Sequence, residues 1–320
     1  MDGIDVKWAI DFPIPKPSFE ITTTDGIFWL GSCFAQSIGA KFQNLGWKGL
    51  INPFGVMYNP ISMANILNVM TSSNLSREAF FCHQELWRHW DVHSDFAQTS
   101  LQKSLETLQR QQQIAAQHWQ TSSVLVLTLG SAYGWRHLQQ DKIVANCHQI
   151  SSKQFARELL AMSDMKQALL SLIDAFAEGK NHPKIVLTVS PIRYLRDGLM
   201  DSNRSKARLL EIAHQIQDEY DNVILFPAYE ILIDQLRDYR FYTEDMVHPS
   251  AEAVHEIWNI FVKSFVSKSG QQAITEGLEL QRMCQHKLRF PDSASAKQFL
   301  QIREQRIIQW QQQYQLGQIK

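Results

Sequence analysis

The feature that most constrains the fold is an apolar run that passes directly into a helical pattern. Residues 28–31 are apolar or glycine, the run ends at Ser32, and Phe34, Ile38 and Phe42 then recur at intervals of four. A short apolar run is typical of a buried strand, and a spacing of four places side chains on one helix face. The segment therefore predicts a buried strand that feeds a helix, with Ser32 at an exposed hinge between them.

The same alternation of strand and helix recurs along the chain. Strands are expected at 123–130, 184–189 and 222–226, a hairpin at 136–145, and helices at 59–70, 99–119, 151–178, 203–220 and 254–265. Such alternation indicates βαβ units and a parallel sheet. Residues 1–26, with prolines at 13, 15 and 17, are expected to form an extended lead-in on the surface.

Two short segments carry side chains suited to nucleophilic catalysis. A hydroxyl at Ser32 would lie at a helix N-terminus, where free N–H groups favour a developing oxyanion. A plain helix cap is the commoner role of a serine in this position. Near the other end, the loop before Pro249 carries Asp245 and His248. In a D-x-x-H loop the carboxylate can hold one imidazole nitrogen while the other faces a hydroxyl brought by the fold.

Seven sequence blocks follow one another at residues 31–35, 52–60, 127–131, 146–148, 188–193, 203–205 and 245–250. The first spells GSCFA, and in this order the blocks resemble the GSCFA family, a branch of the SGNH/GDSL hydrolase superfamily. The resemblance implies an α/β fold: a three-layer α/β/α, flavodoxin-like arrangement around a parallel sheet. We expect a hydrolase domain over 1–268, with a lid or helical insertion over 71–120. The change of pattern beyond Lys268 predicts a helical C-terminal extension over 269–320.

The resemblance further implies a serine esterase that acts on an O-acyl ester through a covalent acyl-enzyme. Ser32 would be the nucleophile, His248 the general base and then acid, and Asp245 the group that orients His248. The substrate would be a small-molecule or glycan acyl ester, such as an acylated carbohydrate, and no cofactor is implied. The alternatives are an O-acyltransferase with the same three residues, and a non-catalytic glycan- or partner-binding module on the same fold.

The oxyanion hole is where the sequence departs from the wider superfamily. SGNH enzymes commonly have Gly-x-Asn-Asp after the strand that ends here at residue 129, whereas this chain has Gly130 and Ser131 followed by Ala and Tyr. Ser131, Asn59 and Asn146 are candidate replacements for the missing Asn donor, and Gly130 is a further candidate contact. The backbone N–H groups of Ser32 and Gly55 are expected to stabilise the oxyanion. The family blocks imply three further substrate contacts: His148, Arg193 and Asn203. The pair His93 and Ser94 resembles a His-Ser dipeptide of the family, which makes His93 a fourth candidate.

The cysteines and histidines indicate neither a disulfide framework nor a metal site. The four cysteines lack CxxC spacing, and the histidines at 83, 89 and 93 lack an acidic partner set, so we expect reduced thiols and no metal. Cys33 is expected to be a small hydrophobe that points away from the site. Cys147 beside His148 is a weaker candidate for a thiol nucleophile, because neighbours on an extended segment point to opposite faces.

Charge and hydropathy exclude several classes of partner. Lys and Arg number 31 against 32 Asp and Glu, and no basic cluster stands out, so a nucleic-acid partner is not expected. The first residues lack the basic and apolar regions of a signal peptide, and no segment approaches the roughly 18 apolar residues that a spanning helix needs. We therefore expect a cytoplasmic protein without a membrane partner.

Overall fold

The structure, a computed structural model, describes residues 13, 14, 16–72 and 75–320, so residues 1–12 and Pro15 of the expected lead-in lie outside it. The strands are β1 (Ile27–Gly31), β2 (Gly49–Ile51), β3 (Phe80–His83), β4 (Leu86–His89), β5 (Val124–Leu129), β6 (Tyr133–His137), β7 (Lys142–Val144), β8 (Phe155–Leu159), β9 (Lys184–Val189) and β10 (Val223–Phe226). The helices are α1 (Cys33–Asn44), α2 (Pro60–Thr71), α3 (Leu101–Thr121), α4 (Met162–Ala177), α5 (Leu199–Glu219), the short α6 (Ala228–Glu230), α7 (Ala251–Phe265), α8 (Lys268–Gln285) and α9 (Ala294–Tyr314).

Five strands form a wholly parallel sheet in the order β10-β9-β5-β1-β2. The chain builds β2 on one side of β1 and then returns to add β5, β9 and β10 on the other. Where consecutive strands diverge in this way, a crevice opens at their carboxyl ends, and ligand sites are commonly built there. In this protein the strand order reverses between β1 and β5, whose carboxyl ends are followed by Ser32 and by Gly130 and Ser131.

Helices cover both faces of this sheet, which confirms the predicted three-layer α/β/α arrangement. Along β1, Phe28 and Leu30 belong to the core formed with α2, α3, α4 and α5, whereas Ile27 and Trp29 belong to the core formed with α1 and α7. Because both faces are covered, the strands are apolar at successive positions instead of alternating with polar residues. This burial explains why β1 and β5 are plain apolar runs in the sequence.

The segment 71–120, expected to form a lid or insertion, consists of two different parts. Residues 80–89 form the β3–β4 hairpin. Helix α3, in contrast, packs in the helix layer through Leu108, Ala115 and Trp119, which are buried in the same cluster as Phe28. The hairpin adds Phe80 to this cluster, so both parts of the segment contact the same core.

The helix predicted over 151–178 begins later than expected. Helix α4 starts at Met162, and residues 155–159 form β8, which joins β6 and β7 in a three-stranded antiparallel sheet. Phe155 and Leu159 fit a helical spacing of four, but two residues four apart also lie on one side of a strand. Apolar spacing alone does not separate these two structures. The hairpin predicted at 136–145 is confirmed as β6 and β7.

The last two helices pack back onto the domain. Trp310 and Tyr314 of α9 and Ala273 of α8 are buried in the core cluster under α1, and Nε1 of Trp310 donates to the carbonyl oxygen of Ala273 at 2.9 Å. The N–H of Gly317 donates to the carbonyl oxygen of Gly46 at 2.7 Å, beside the end of α1. The C-terminal extension is thus helical, as predicted. Within the described residues, no helix combines the length and apolarity that a membrane crossing requires.

Candidate active site

Ser32 lies between β1 and α1, as predicted, but its side chain is turned inward. The residue is 1 % exposed, and its Oγ accepts the N–H of Phe34 at 3.3 Å. Its own N–H donates to the carbonyl oxygen of Thr128 at 3.1 Å. An extended N-cap residue with this bond closes the first turn of the helix. The sequence predicts an exposed hydroxyl, whereas Ser32 is a buried helix cap in this structure.

Cys33, the first residue of α1, is more open than Ser32. The side chain is half-buried, and its sulfur lies near the hydroxyl of Tyr58 and the first N–H groups of α1. Burial raises the pKa of the Cys33 thiol, while these groups and the charge on Lys206 act in the opposite direction. Cys33 is therefore only partly buried, whereas the sequence predicts a small buried hydrophobe that points away from the site.

Lys206 of α5 supplies a buried cation at the same edge of the sheet. The residue is 3 % exposed, and Nζ donates to the carbonyl oxygens of Gly130 and Ser190, each at 2.7 Å. These carbonyls follow β5 and β9, so the ammonium joins the ends of two neighbouring strands. Burial lowers the pKa of Lys206 to about 7, and a negative charge on Cys33 raises it. The two side chains are thus electrostatically linked.

Asp245 and His248 form a bonded pair on the loop before α7. Oδ2 of Asp245 lies 2.7 Å from Nδ1 of His248, and Oδ1 accepts the Thr243 hydroxyl at 2.6 Å. Oδ1 also accepts the N–H groups of Val247 at 2.8 Å and His248 at 3.0 Å. These bonds, led by the one from Thr243, hold the pKa of Asp245 well below its ordinary range. The carboxylate therefore stays ionised and fixes the imidazole ring.

The loop that carries this pair is attached to the carboxyl edge of the sheet through Arg193. The N–H of Arg193, which follows β9, donates to the carbonyl oxygen of Val247 at 3.1 Å. Its guanidinium lies 4.2 Å from the centroid of the Tyr242 ring, beside a cavity of about 360 Å³. Among the described residues, His248 hydrogen-bonds only within its own loop. The structure therefore places the pair near the carboxyl edge of the sheet, with no hydrogen bond to Ser32 or Cys33 among the described residues.

The backbone donors predicted for the oxyanion hole already have partners. The N–H of Gly55 donates to the carbonyl oxygen of Asn52 at 2.8 Å. The N–H groups of Gly130 and Ser131 both donate to the carbonyl oxygen of Tyr58, at 2.9 and 2.8 Å. None of these three groups is free in this conformation. The first turn of α1 is the alternative source of N–H groups at this edge, because the first N–H groups of a helix have no intrahelical acceptor.

A cavity of about 200 Å³ collects several of the predicted contacts. Asn59, Ser131, Asn146 and His93 line it together with Val56, Tyr58, Tyr133, Trp135, Ala145, Cys147, Arg157, Tyr194 and Arg196. Oδ1 of Asn59 accepts the N–H of Ser62 at 2.9 Å and so caps α2. Nδ2 of Asn146 donates to Oγ of Ser94 at 3.3 Å. The cavity lies against Tyr58, whose hydroxyl contacts the Cys33 sulfur.

Arg157 organises the aromatic wall of this cavity. Its guanidinium lies 5.1, 4.8 and 5.3 Å from the ring centroids of Tyr133, Trp135 and Tyr194. Nε of Arg157 donates to Oδ1 of Asp197 at 2.9 Å. A guanidinium held between aromatic faces and a carboxylate has little freedom to move, so the wall is preformed. None of these five residues was among the sequence candidates.

Gly55 packs against His93, which lines the cavity of about 200 Å³. Gly55 has a φ of +87°, and a Cβ placed on it would lie 2.1 Å from Cβ of His93. The N–H of His93 donates to the carbonyl oxygen of Phe54 at 2.9 Å. Only a residue without a side chain fits this backbone conformation at this distance. The role of Gly55 in the structure is thus to let His93 reach the cavity wall.

His148 lies in an aromatic core and not on the cavity surface. It is 1 % exposed, with the ring centroids of Phe81 and Trp90 at 5.3 and 6.1 Å, and its Nδ1 lies 3.1 Å from Oγ of Ser94. Burial lowers the pKa of His148 to about 4, so the ring is neutral at pH 7. Within the described part of the chain, no group of three or more His, Cys, Asp or Glu residues is placed to hold a metal ion.

Asn203 is exposed on α5, which begins at Leu199 and not at Asn203 as predicted. It therefore neither caps the helix nor lines either cavity described above. The buried face of α5 includes Ser205, Lys206 and Leu209. A lysine at this position follows the apolar spacing of the helix, and that spacing is the sequence signal by which Lys206 could have been found.

The comparisons with known proteins bear on the family of the chain. No curated protein matches it in sequence. Among solved structures, it is similar to a crystal structure from Bacteroides fragilis described as a "putative acylhydrolase", with a TM-score of 0.38, 12% identity, and coverage of 83% of this chain and 92% of that one. A likeness of this size does not by itself define a shared fold or activity. The GSCFA family model matches residues 26–261, well over half of the sequence. The chain therefore belongs to the GSCFA family.

Proposed function

We propose that the protein hydrolyses acyl esters through a covalent acyl-enzyme. The observation that carries the proposal is the Asp245–His248 pair, joined at 2.7 Å on a loop bonded to the carboxyl edge of the sheet. The turn between β1 and α1 ends at the same edge and supplies a nucleophile. A carboxylate-oriented imidazole and an acyl-accepting side chain are the groups that serine and cysteine acyl-transfer enzymes share. Membership of the GSCFA family supports the same reaction class.

The proton steps follow from the bonding of the pair. Because Asp245 is ionised and accepts from Nδ1 of His248, the proton of the neutral ring sits on Nδ1 and Nε2 keeps a lone pair. Nε2 takes the proton of the nucleophile and then gives it to the departing alcohol. Water hydrolyses the acyl-enzyme with the same base. This chemistry uses protein side chains alone, so the proposal includes no cofactor.

The cavity of about 200 Å³ supports a substrate with a small polar portion. Asn59, Asn146 and Tyr133 line it, next to the rings of Trp135 and Tyr194. The amides of Asn59 and Asn146 are held by protein groups, so it is the aromatic faces that match the apolar faces of a sugar ring. We therefore propose an O-acylated, hydroxyl-rich molecule such as an acylated carbohydrate, with its leaving-group alcohol in this cavity.

The first experiment measures acid release from p-nitrophenyl esters of several chain lengths and from acetylated sugars. We expect turnover by the purified protein, and a loss of roughly 10²- to 10⁴-fold in kcat in His248→Ala, because the general base is removed. His255→Ala is the matched control, since His255 is an exposed histidine on α7. The proposal is overturned if no ester in the panel is cleaved above the buffer rate, or if His248→Ala is as active as the parent.

Acyl transfer is separated from hydrolysis in the same assay. A free acid that accounts for all the ester consumed supports hydrolysis. A new acyl ester on an added sugar, formed at the expense of free acid, assigns the protein to the transferases, because the acyl-enzyme is common to both reactions.

A further inference from the structure

We infer that the nucleophile of this site is the thiol of Cys33 and not the hydroxyl of Ser32. The inference rests on the proposed function, because it names the atom that accepts the acyl group. It follows from the different surroundings of these two neighbouring side chains, from the contact of Cys33 with Tyr58 at the cavity, and from the buried cation beside Cys33.

The hydroxyl of Ser32 is buried inside the protein. Its Oγ is bonded to the N–H of Phe34 at 3.3 Å as the cap of α1. A Cβ placed on Gly130 would lie 3.2 Å from Cβ of Ser32, so the serine is packed against the end of β5. To attack a substrate, Ser32 would have to break the cap and turn out of a site where the residue is 1 % exposed.

Cys33 is the first residue of the twelve-residue helix α1 and is half-buried, whereas Ser32 is fully buried. The positive end of the helix dipole stabilises a negative charge at this position and opposes the burial that raises the pKa of the thiol. The N–H of Phe34 is held by Oγ of Ser32, so the N–H of Cys33 is the donor at the start of α1 that we assign to an oxyanion on an acyl group attached to this sulfur.

Tyr58 connects the thiol to the substrate cavity. Its hydroxyl hydrogen-bonds to the Cys33 sulfur, its side chain lines the cavity of about 200 Å³, and its carbonyl is fixed by the N–H groups of Gly130 and Ser131. Burial raises the pKa of Tyr58, so the phenol keeps its proton and donates it as a hydrogen bond to the thiolate. A substrate in the cavity is thereby directed toward Cys33.

The positive charge of Lys206 stabilises a negative charge on the Cys33 sulfur. Its Nζ is held by the carbonyl oxygens of Gly130 and Ser190 at 2.7 Å each, and its charge acts on the Cys33 sulfur. Screening by water is weak because the residue is 3 % exposed. We assign Lys206 as a positioning residue that favours the charged thiol without touching the substrate.

The reaction balances with water as the only co-reactant. Nε2 of His248 accepts the proton of the Cys33 thiol, and the thiolate attacks the ester carbonyl carbon. The C–S bond forms as the C–O bond breaks, and the alcohol leaves with the proton held by His248. Water then attacks the thioester and gives a proton to His248. Loss of the thiolate releases the acid, and the proton returns to Cys33.

The decisive experiment locates the acyl group by mass spectrometry after the enzyme is quenched during turnover of a p-nitrophenyl ester. We expect one acyl adduct on Cys33, removed by neutral hydroxylamine as a thioester is. In Ser32→Ala the adduct still forms on Cys33. In Cys33→Ala it is absent and kcat falls roughly 10³-fold or more. Cys284→Ala is the control for loss of an exposed cysteine. An adduct on Ser32, or a fully active Cys33→Ala, overturns the inference while the proposed esterase stands.

A second measurement is independent of any ester. We expect iodoacetamide to alkylate Cys33 at a rate that rises with pH, because a thiolate and not a thiol reacts. In Tyr58→Phe and in Lys206→Met the pH profile of this alkylation moves to higher pH, since each variant removes a group that opposes the effect of burial on the Cys33 thiol. Unchanged profiles in both variants overturn the inference. Absence of ester turnover with rapid alkylation of Cys33 counts against the proposed function instead.

Discussion

The carboxylate of Asp245 receives hydrogen bonds on both oxygens and presents Oδ2 to Nδ1 of His248 at 2.7 Å. An asparagine at this position keeps the shape of the loop. It lacks the negative charge that holds the proton of His248 on Nδ1. We expect Asp245→Asn to lower kcat by roughly 10²- to 10⁴-fold.

A thermal melt is the control for this variant, since both side chains are about half exposed and a large fall in Tm would point to a structural effect. Near-complete retention of kcat would contradict the role of Asp245 in orienting His248.

Asn59 gives a prediction that separates stability from catalysis. Its Oδ1 accepts the N–H of Ser62 at 2.9 Å and its Nδ2 donates to Oγ of Ser62 at 2.9 Å. Asn59→Ala therefore removes a helix cap, and we expect the free energy of unfolding to fall by about 1 kcal/mol. Because both atoms of the amide are engaged, kcat should fall less than tenfold. A loss of roughly 10²-fold or more would instead make Asn59 an oxyanion donor.

Gly55 gives a prediction with a matched control in Gly179. Both residues have positive φ, +87° and +70°, but a Cβ on Gly55 meets Cβ of His93 at 2.1 Å while one on Gly179 meets nothing within 4 Å. Alanine at either position carries the backbone strain of about 1 kcal/mol or more. We expect Gly55→Ala to be the more destabilising in urea unfolding, because it also displaces His93. Equal losses would contradict the close packing of this pair.

Buried histidines make the stability of the protein depend on pH. Burial lowers the pKa of His148 and of His89 to about 4 each, below the usual value of 6.5. Between these values the unfolded chain binds protons that the folded chain does not, so stability is full above pH 6.5 and is lost as the pH falls toward 4. The slope is at most about 1.4 kcal/mol per pH unit for each residue.

Urea unfolding at several pH values checks this prediction. His148→Gln should flatten the dependence between pH 4 and 6.5, whereas His255→Ala on the surface should leave it unchanged. An identical slope in the parent and in His148→Gln would contradict the neutral, buried state of His148.

The parallel sheet was predictable because strands covered on both faces have continuous apolar sequences, such as Val124–Leu129. The Asp245–His248 pair was also predictable, since its three-residue spacing lies within one loop. The start of α4 was not, because Phe155 and Leu159 satisfy the spacing of a helix and of a strand. Whether the side chain of Ser32 or of Cys33 is buried depends on which residue caps α1, and the sequence alone does not fix that position. Likewise, the engagement of the Ser131 N–H depends on Tyr58, a partner distant in sequence.

The attachment of residues 316–320 to α1 has a practical consequence for protein engineering. The N–H of Gly317 donates to Gly46, and the N–H of Lys320 donates to the carbonyl oxygen of Asn44, the last residue of α1, at 3.0 Å. The opposite end of α1 carries Ser32 and Cys33. An affinity tag fused directly after Lys320 would therefore crowd the hydrogen bonds at the end of the helix that carries the proposed nucleophile. A flexible spacer before the tag, or a tag at the other terminus, keeps this helix anchored during purification and crystallisation.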